Sequence, residues 1–244
     1  MGADDLARRF LERSLAAVLL LLAVPLIALT AAVSFACYRA WPFFVQDRVG
    51  LGGQTLRFVK VRSLPPDTAR YADKYSLQAS RIPAVMRTVR RLHLDELPQL
   101  LHVARGEMAF VGPRPEMPNL HARLPEPFAS ERVSVRPGIT GLWQISPHCH
   151  QLIGERTEYD RLYIWHRTAT FDAWILLRTL RKMSLGRTTQ LYEVPHRLVR
   201  HAPSPAPVFP PIAIAERPAP SLLDAPPVHP NPATAALAVA GSAD

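Results

Sequence analysis

Two adjacent carboxylates, Asp95 and Glu96, are the residues of this chain best suited to covalent or metal chemistry. They lie between Leu94 and Leu97, in a stretch whose apolar spacing predicts a helix over residues 94–103 with Pro98 in its first turn. Three arginines precede them: Arg87, Arg90 and Arg91. One interpretation is a helix cap at Asp95 followed by a first-turn charge, which the helix dipole favours. The other is a carboxylate that meets a phosphate, since that encounter needs nearby positive charge.

The second candidate functional feature is an arginine between two prolines. In Gly112-Pro113-Arg114-Pro115 the prolines restrict the backbone, so Arg114 loses little freedom when it binds an anion. Arg136, which precedes Pro137, repeats this arrangement, and the repetition favours anion binding over a turn with an incidental arginine.

Further positive charge is predicted on a β-hairpin. Residues 46–49 and 56–61 flank a glycine-rich turn and read as its two strands. Lys60 and Arg62 alternate with Val59 and Val61, so both side chains are expected on one face. That face could supply cations to a phosphate site.

These motifs, together with the run from Arg136 to Ile145, resemble those of the bacterial sugar transferases that act on polyprenol phosphates, the monotopic phosphoglycosyl transferases. The similarity extends over roughly residues 10–190 and includes Asp160, Tyr163 and Asp172. It implies an α+β fold, in which an N-terminal re-entrant membrane helix precedes a small catalytic domain of helices and a β-hairpin, with interfacial amphipathic helices. It also implies transfer of a sugar-1-phosphate from a UDP-sugar to undecaprenyl phosphate, at the start of exopolysaccharide assembly.

The resemblance assigns roles to the candidate residues. Asp95 would be the nucleophile that forms a phosphosugar-aspartyl intermediate, and Glu96 would hold Mg²⁺ with the diphosphate. Five basic residues would bind the substrate phosphates: Lys60, Arg62, Arg90, Arg114 and Arg136. The enzyme is expected at the bacterial inner membrane, with its catalytic domain on the cytoplasmic face and in contact with membrane lipids.

The N-terminal segment is consistent with a membrane anchor. Residues 14–38 contain no charged side chain and are long enough to cross a bilayer as a helix. Basic residues occur on both sides of this run, and Pro25 lies near its middle. The residues alone leave a straight span and a re-entrant helix bent at Pro25 equally open, and the resemblance favours the re-entrant helix.

The net charge of +9 predicts anionic partners. Nucleic acid is not expected, because the chain has no zinc-finger spacing, RNP signature or basic zipper. Its two cysteines, Cys37 and Cys149, form no disulfide framework. The residues His148, Cys149 and His150 are too close in sequence to favour a shared metal ion.

The sequence predicts three segments: a membrane anchor over 1–40, a catalytic domain over 41–200 and a disordered proline-rich tail over 201–244. Within the domain we expect a polar loop or short helix over 65–82, a strand over 142–145, and one helix over 158–187 that is either interfacial or packed in the core. Residues 146–150 and His166 depart from the family pattern, so the sugar cannot be read from the sequence. The tail is a candidate for binding a partner protein.

Two other functions fit part of the sequence. A membrane-anchored, metal-dependent hydrolase of lipid pyrophosphates would use the same carboxylates with water as the acceptor. A scaffold without catalytic activity would use only the anchor and the proline-rich tail, and the Asp95-Glu96 pair argues against it.

Overall fold

The computed structural model describes residues 3–68 and 81–199. The tail over 201–244 and most of the polar segment over 65–82 lie outside those residues, so the predictions for them are not tested. The described part combines helices and short strands. The helices are α1 (Ala3–Tyr38), α2 (Ala84–Arg91), α3 (Leu100–Arg105), α4 (Pro118–His121), α5 (Phe128–Val133), α6 (Leu142–Ile145), α7 (Glu158–His166) and α8 (Ala169–Leu185). The strands are β1 (Phe43–Val49), β2 (Thr55–Val61), β3 (Ala109–Val111) and β4 (Gly138–Thr140).

Helix α1 has the length and composition of a membrane anchor. Its segment Arg8–Tyr38 includes an 18-residue window with a mean hydropathy of 2.7 and contains Pro25 within a continuous helix. At roughly 1.5 Å per residue this part is about 46 Å long. Large apolar side chains such as Leu21 and Leu22 are more than two-thirds exposed. Within the described residues, α1 is the one helix long and apolar enough to cross a bilayer.

Both ends of α1 contact the remainder of the protein. Near its start, Arg8 pairs with Asp172 of α8, and Glu12 and Arg13 bond to residues near α3 and β4. Near its end, Ser34 Oγ donates to the carbonyl of Arg62 at 2.6 Å, and Tyr38 donates to the carbonyl of Ser63 at 3.1 Å. The helix is therefore attached to one domain at both ends.

Strands β1 and β2 pair antiparallel, with Phe43 opposite Val61 and Val49 opposite Thr55. The pairing begins earlier in β1 than the sequence indicated. Gly52 and Gly53 have φ of 66° and 76° in the connecting turn, a region that glycine enters without steric cost. The ammonium of Lys60 and the guanidinium of Arg62 lie 5.5 and 5.9 Å from the centre of the Phe44 ring. The two side chains therefore share a face, as predicted.

The carboxylate pair lies in a helical segment, but its first turns differ from the prediction. A 3-10 helix covers Leu94–Gln99 and continues directly into α3. The N-cap is His93, in the left-handed region at φ 55°, and it makes no side-chain cap hydrogen bond. The cap interpretation of Asp95 is therefore wrong, and its side chain bonds instead to Ser63.

Strands β3 and β4 pair in parallel, which brings the two proline-stiffened turns together. The contact is between backbones: a Cβ at Gly138 would lie 2.1 Å from Gly112 N, and one at Gly141 would lie 2.2 Å from Gly112 O. The predicted strand over 142–145 is wrong, because these residues form α6 and the strand lies just before them. A four-residue apolar run does not distinguish a strand from a buried helical turn.

The long C-terminal helix is two helices. The chain turns at Arg167, and Thr168 Oγ1 caps α8 by accepting from Phe171 N at 3.1 Å. Phe171 and Ile175 of α8 are fully buried, whereas Leu177 and Leu180 are 65% and 64% exposed. Helix α8 therefore has one apolar side in the core and a second apolar side at the surface. The main core also includes Phe128, Leu142, Ile145 and Tyr163.

Candidate active site

Asp95 is held in a buried position by a serine. The residue is 5% exposed, and Ser63 Oγ donates to Asp95 Oδ2 at 2.7 Å. Arg90 Nη1 in turn donates to Ser63 Oγ at 3.1 Å. Burial raises the pKa of Asp95, and the hydrogen bond from Ser63 opposes that increase. Among the described residues, none donates to the other oxygen, Oδ1.

Glu96 has the opposite electrostatic environment. Burial would raise the pKa of Glu96, but the charges of Arg114 and Lys60 outweigh it and lower that pKa below its usual value. Arg114 Nη2 donates to Oε1 at 3.2 Å. Two neighbouring carboxyl groups whose pKa values are shifted apart can take different roles in one reaction.

Lys60 supplies a positive charge close to both carboxylates. Desolvation lowers the pKa of Lys60 to about 8, although Glu96 and Asp95 counteract this effect. Its ammonium lies 5.5 Å from the centre of the Phe44 ring. Within the described residues, no carboxylate oxygen lies within 4.0 Å of it. A cation near the site that has no such direct partner is suited to binding an anion.

The turn that carries Arg114 is fixed through its backbone. The carbonyl of Arg114 accepts from Arg132 Nη2 at 2.7 Å, and Arg132 also pairs with Asp160 at 2.9 Å. The carbonyl of Pro115 accepts from Arg48 Nη1 at 3.1 Å. The guanidinium of Arg114 is therefore directed at Glu96 from a restrained backbone.

The structure gathers three of the five predicted phosphate ligands near the carboxylates: Lys60, Arg90 and Arg114. Arg62 Nε donates to the carbonyl of Trp41 at 2.8 Å. Arg136 pairs with Glu12 at 2.5 Å and donates to the carbonyl of Met108 at 3.2 Å. Phosphate binding by Arg62 and Arg136 stays a prediction.

Sequence reasoning missed Ser63 and Arg132. Ser63 directly follows Arg62, a predicted phosphate ligand, and this position was the available signal. Arg132 lay in a polar stretch without a distinctive pattern, and no sequence signal indicated its buried pair with Asp160.

A magnesium ion would have few protein ligands here. Within the described residues, no cluster of three or more His, Cys, Asp or Glu side chains could hold a metal ion. Magnesium in phosphate-transfer sites commonly binds one or two carboxylates together with substrate phosphates and water. No described residue donates to Glu96 Oε2, so among the described residues this oxygen has no partner that would compete with such a shared ion.

Comparison with known proteins gives a consistent result. The sequence model of a family described as bacterial sugar transferase matches residues 3–186. A relative from Caulobacter vibrioides, named UDP-glucose:undecaprenyl-phosphate glucose-1-phosphate transferase, is 37% identical over 194 residues, which cover 73% of this chain and 70% of that protein. The exopolysaccharide production protein ExoY of Rhizobium meliloti is 31% identical over 198 residues, covering 75% and 87%.

A third relative is longer. The UDP-N-acetylgalactosamine-undecaprenyl-phosphate N-acetylgalactosaminephosphotransferase of Aeromonas hydrophila is 30% identical over 188 residues. The match covers 72% of this chain but only 44% of the Aeromonas protein.

Proposed function

The chain belongs to the bacterial sugar transferase family, and we propose that it transfers a sugar-1-phosphate from a UDP-sugar to undecaprenyl phosphate through an intermediate on Asp95. The observation that carries the proposal is the Asp95-Glu96 pair, with one carboxylate restrained by Ser63 and the other bonded to Arg114. Relatives named as undecaprenyl-phosphate sugar phosphotransferases support the substrate classes. The product would begin exopolysaccharide assembly, as the name of the Rhizobium relative suggests.

In the first half-reaction, Asp95 Oδ1 attacks the phosphorus that bears the sugar. An Oδ1–P bond forms, the P–O bond to the nucleotide breaks, and the electron pair leaves with UMP. Lys60 and Arg114 offset the phosphate charge and hold the diphosphate for in-line displacement. Ser63 keeps the rest of the carboxylate from rotating.

In the second half-reaction, an oxygen of the lipid phosphate attacks the same phosphorus, and the electron pair of the Oδ1–P bond returns to Asp95. The acceptor is a membrane lipid, so the site must lie at the bilayer surface, and α1 provides the attachment.

Glu96 is the residue that would hold Mg²⁺, through Oε2 and together with the substrate phosphates. The ion would supply charge neutralisation at the diphosphate. Because Arg114 bonds to Oε1, Glu96 stays ionised. The bond also keeps the carboxylate of Glu96 next to the guanidinium that would bind the substrate diphosphate.

The attachment of α1 at both ends supports a re-entrant anchor. In a straight span with both ends in water, Arg8 and Tyr38 would lie near opposite faces of a hydrocarbon core roughly 30 Å thick. Both ends bond to the same domain, through Asp172 and Ser63, which supports a helix that enters and leaves the bilayer on one side. We assign that side to the cytoplasm, where nucleotide sugars are made.

The test is a panel of UDP-sugars with purified protein and undecaprenyl phosphate, following UMP release and lipid-linked product. Asp95→Asn should abolish both turnover and the phosphosugar adduct while the protein stays folded. Asp47→Asn, in β1 opposite Arg57, is the matched control and should retain both. An adduct on another residue would refute the role of Asp95. Formation of free sugar phosphate in place of lipid-linked product would favour the hydrolase. A folded protein that shows no activity with any donor would favour the non-catalytic scaffold.

A further inference from the structure

Ser63 lies at the junction between the membrane helix and the proposed nucleophile. It lies two residues beyond the end of β2 and is 2% exposed. Its hydroxyl contacts Arg90 and Asp95, and its carbonyl accepts from Tyr38 of α1.

The chemistry of the three partners fixes the direction of every hydrogen bond. A guanidinium can only donate, so the bond from Arg90 occupies a lone pair of Ser63 Oγ. Serine has a single hydroxyl proton, and that proton is directed at Asp95 Oδ2, 2.7 Å away. An ionised carboxylate can only accept, which matches this arrangement. The hydroxyl therefore has one favoured orientation, and hydrogen bonds to a charged acceptor are stronger than neutral ones.

The main chain that carries the hydroxyl is also held. Tyr38 bonds to the carbonyl of Ser63, and Ser34 bonds to the carbonyl of Arg62 just before it. Both donors belong to the last turns of α1. The orientation of the hydroxyl thus depends on contacts with the membrane helix as well as on the catalytic domain.

We propose that Ser63 is a positioning residue for the reaction: it holds Asp95 Oδ2 so that Oδ1 attacks, and it keeps donating to Oδ2 while the phosphosugar is attached. This inference rests on the proposed function, since it takes Asp95 as the nucleophile. When Oδ1 is esterified, Oδ2 becomes the carbonyl oxygen of the mixed anhydride and still accepts from Ser63. When the lipid phosphate attacks phosphorus, the Oδ1–P bond breaks, its electron pair passes to the carboxylate, and Ser63 stabilises the charge shared by Oδ2. Arg90 acts through Ser63 in both steps.

The experiment compares Ser63→Ala, Ser63→Thr and the control Ser184→Ala in the full-length, membrane-inserted protein. Without acceptor, the burst of UMP reports formation of the adduct; with undecaprenyl phosphate, steady-state rates report turnover. Ser63→Ala should reduce the rate of the burst and kcat by roughly 10- to 100-fold, the effect expected for one hydrogen bond to a charged group. The KM for the UDP-sugar should change by no more than about twofold, because Ser63 touches the nucleophile and not the donor.

Rescue by a second hydroxyl separates positioning from a general loss of stability. Ser63→Thr keeps a hydroxyl that can donate to Asp95 Oδ2, so it should restore both the burst rate and kcat. Ser184→Ala, in α8, removes an exposed hydroxyl that donates to the carbonyl of Leu180, and its burst rate and kcat should match those of the unmodified protein.

Three outcomes would overturn the inference: a normal burst rate in Ser63→Ala, a slow burst in a Ser63→Thr protein that inserts normally, or the same loss of rate in Ser184→Ala. Failure of the proposed function looks different, because the unmodified protein would then give no burst with any donor. A Ser63→Thr protein that does not insert is recognised by its lack of membrane association, and the comparison of Ser63→Ala with Ser184→Ala then decides.

Discussion

Arg136 Nη2 lies 2.5 Å from Glu12 Oε2, which joins the turn before β4 to the first part of α1. The two residues are 124 positions apart, and both side chains are largely buried, with 13% and 11% exposed. Glu12 also accepts from Phe110 N of β3 at 3.3 Å. One carboxylate of the membrane helix thus connects β3, which precedes one proline-stiffened turn, with Arg136 in the other.

Replacing Glu12 with Gln should destabilise the protein, since Arg136 would keep its charge in a buried place without a partner. We expect a loss of unfolding free energy on the order of 3 kcal/mol, measured by thermal unfolding in detergent. Glu158→Gln removes an exposed pair with Arg156 and is the control; it should cost less than about 1 kcal/mol. Equal stability of the two variants would show that the Glu12–Arg136 pair does not hold α1.

The same pair tests whether Arg136 also binds phosphate. If it does, Arg136→Gln should raise the KM for the UDP-sugar several-fold more than Glu12→Gln does. An equal KM in the two variants would limit Arg136 to anchoring α1.

Lys60 should impose an alkaline limit on donor binding. With a pKa of about 8, its ammonium loses its charge as pH rises through 8, so kcat/KM for the donor should fall in that range. Lys60→Arg keeps the charge, so the fall in kcat/KM near pH 8 should disappear in this variant. A fall near pH 8 that persists in Lys60→Arg would contradict the role of Lys60 in donor binding.

The lowered pKa of Lys60 should also make the stability of the fold depend on pH, but with stability increasing as pH rises. The ordinary pKa of lysine is 10.5, so the unfolded chain binds the proton more tightly than the folded protein does. The free energy of unfolding should therefore rise as pH increases from about 8 toward 10.5, and Lys60→Met should abolish that contribution.

Gly138→Ala should prevent the two proline-stiffened turns from packing together. The new Cβ would lie 2.1 Å from Gly112 N and 2.5 Å from Thr140 O, and backbone atoms cannot move aside as a side chain can. We expect a loss of more than about 4 kcal/mol, seen as failure to accumulate folded protein. Gly154→Ala, whose Cβ would meet only Leu124 at 3.4 Å, should fold normally. A folded, active Gly138→Ala protein would mean that β3 and β4 separate without cost.

A re-entrant α1 predicts that both ends of the helix face the cytoplasm. In a background without Cys37 and Cys149, cysteines at residues 3 and 200 should both react with an impermeant reagent only in inverted vesicles. Labelling of position 3 from the periplasmic side would establish a simple span.

Truncation after Arg200 should leave purified activity nearly intact, because proline-rich segments of this kind build no packed core. Lower polysaccharide output in cells with normal purified activity would assign the tail to docking with a partner. A truncated enzyme that inserts but cannot turn over would show that the tail reaches the active site.

The sequence by itself was sufficient to predict the candidate reactive residues and the long apolar helix. Each of these features is defined by residues that are neighbours in the sequence. They are the adjacent charges of Asp95-Glu96, the proline-restricted Arg114 and an uncharged run in α1 long enough to match a bilayer. The β-hairpin was likewise predictable, since alternation and a glycine turn act over a few neighbouring residues.

Short elements were predicted less well for a physical reason. Leu142–Ile145 is too short for its apolar pattern to distinguish helix from strand, and tertiary packing decided in favour of α6. The break at Thr168 depends on one capping hydroxyl between two segments that are both compatible with helix.

Only the tertiary structure decided which side chains pair with the charged residues. Ser63 bonds to Asp95 across 32 positions and Arg136 to Glu12 across 124, and no periodicity in the chain encodes such partners. An arginine beside a proline looks the same whether its guanidinium faces a ligand or a glutamate from another helix. The packing of α1, β3 and β4 determines which of these it meets, because a buried charge is stable only where folding brings a partner to it.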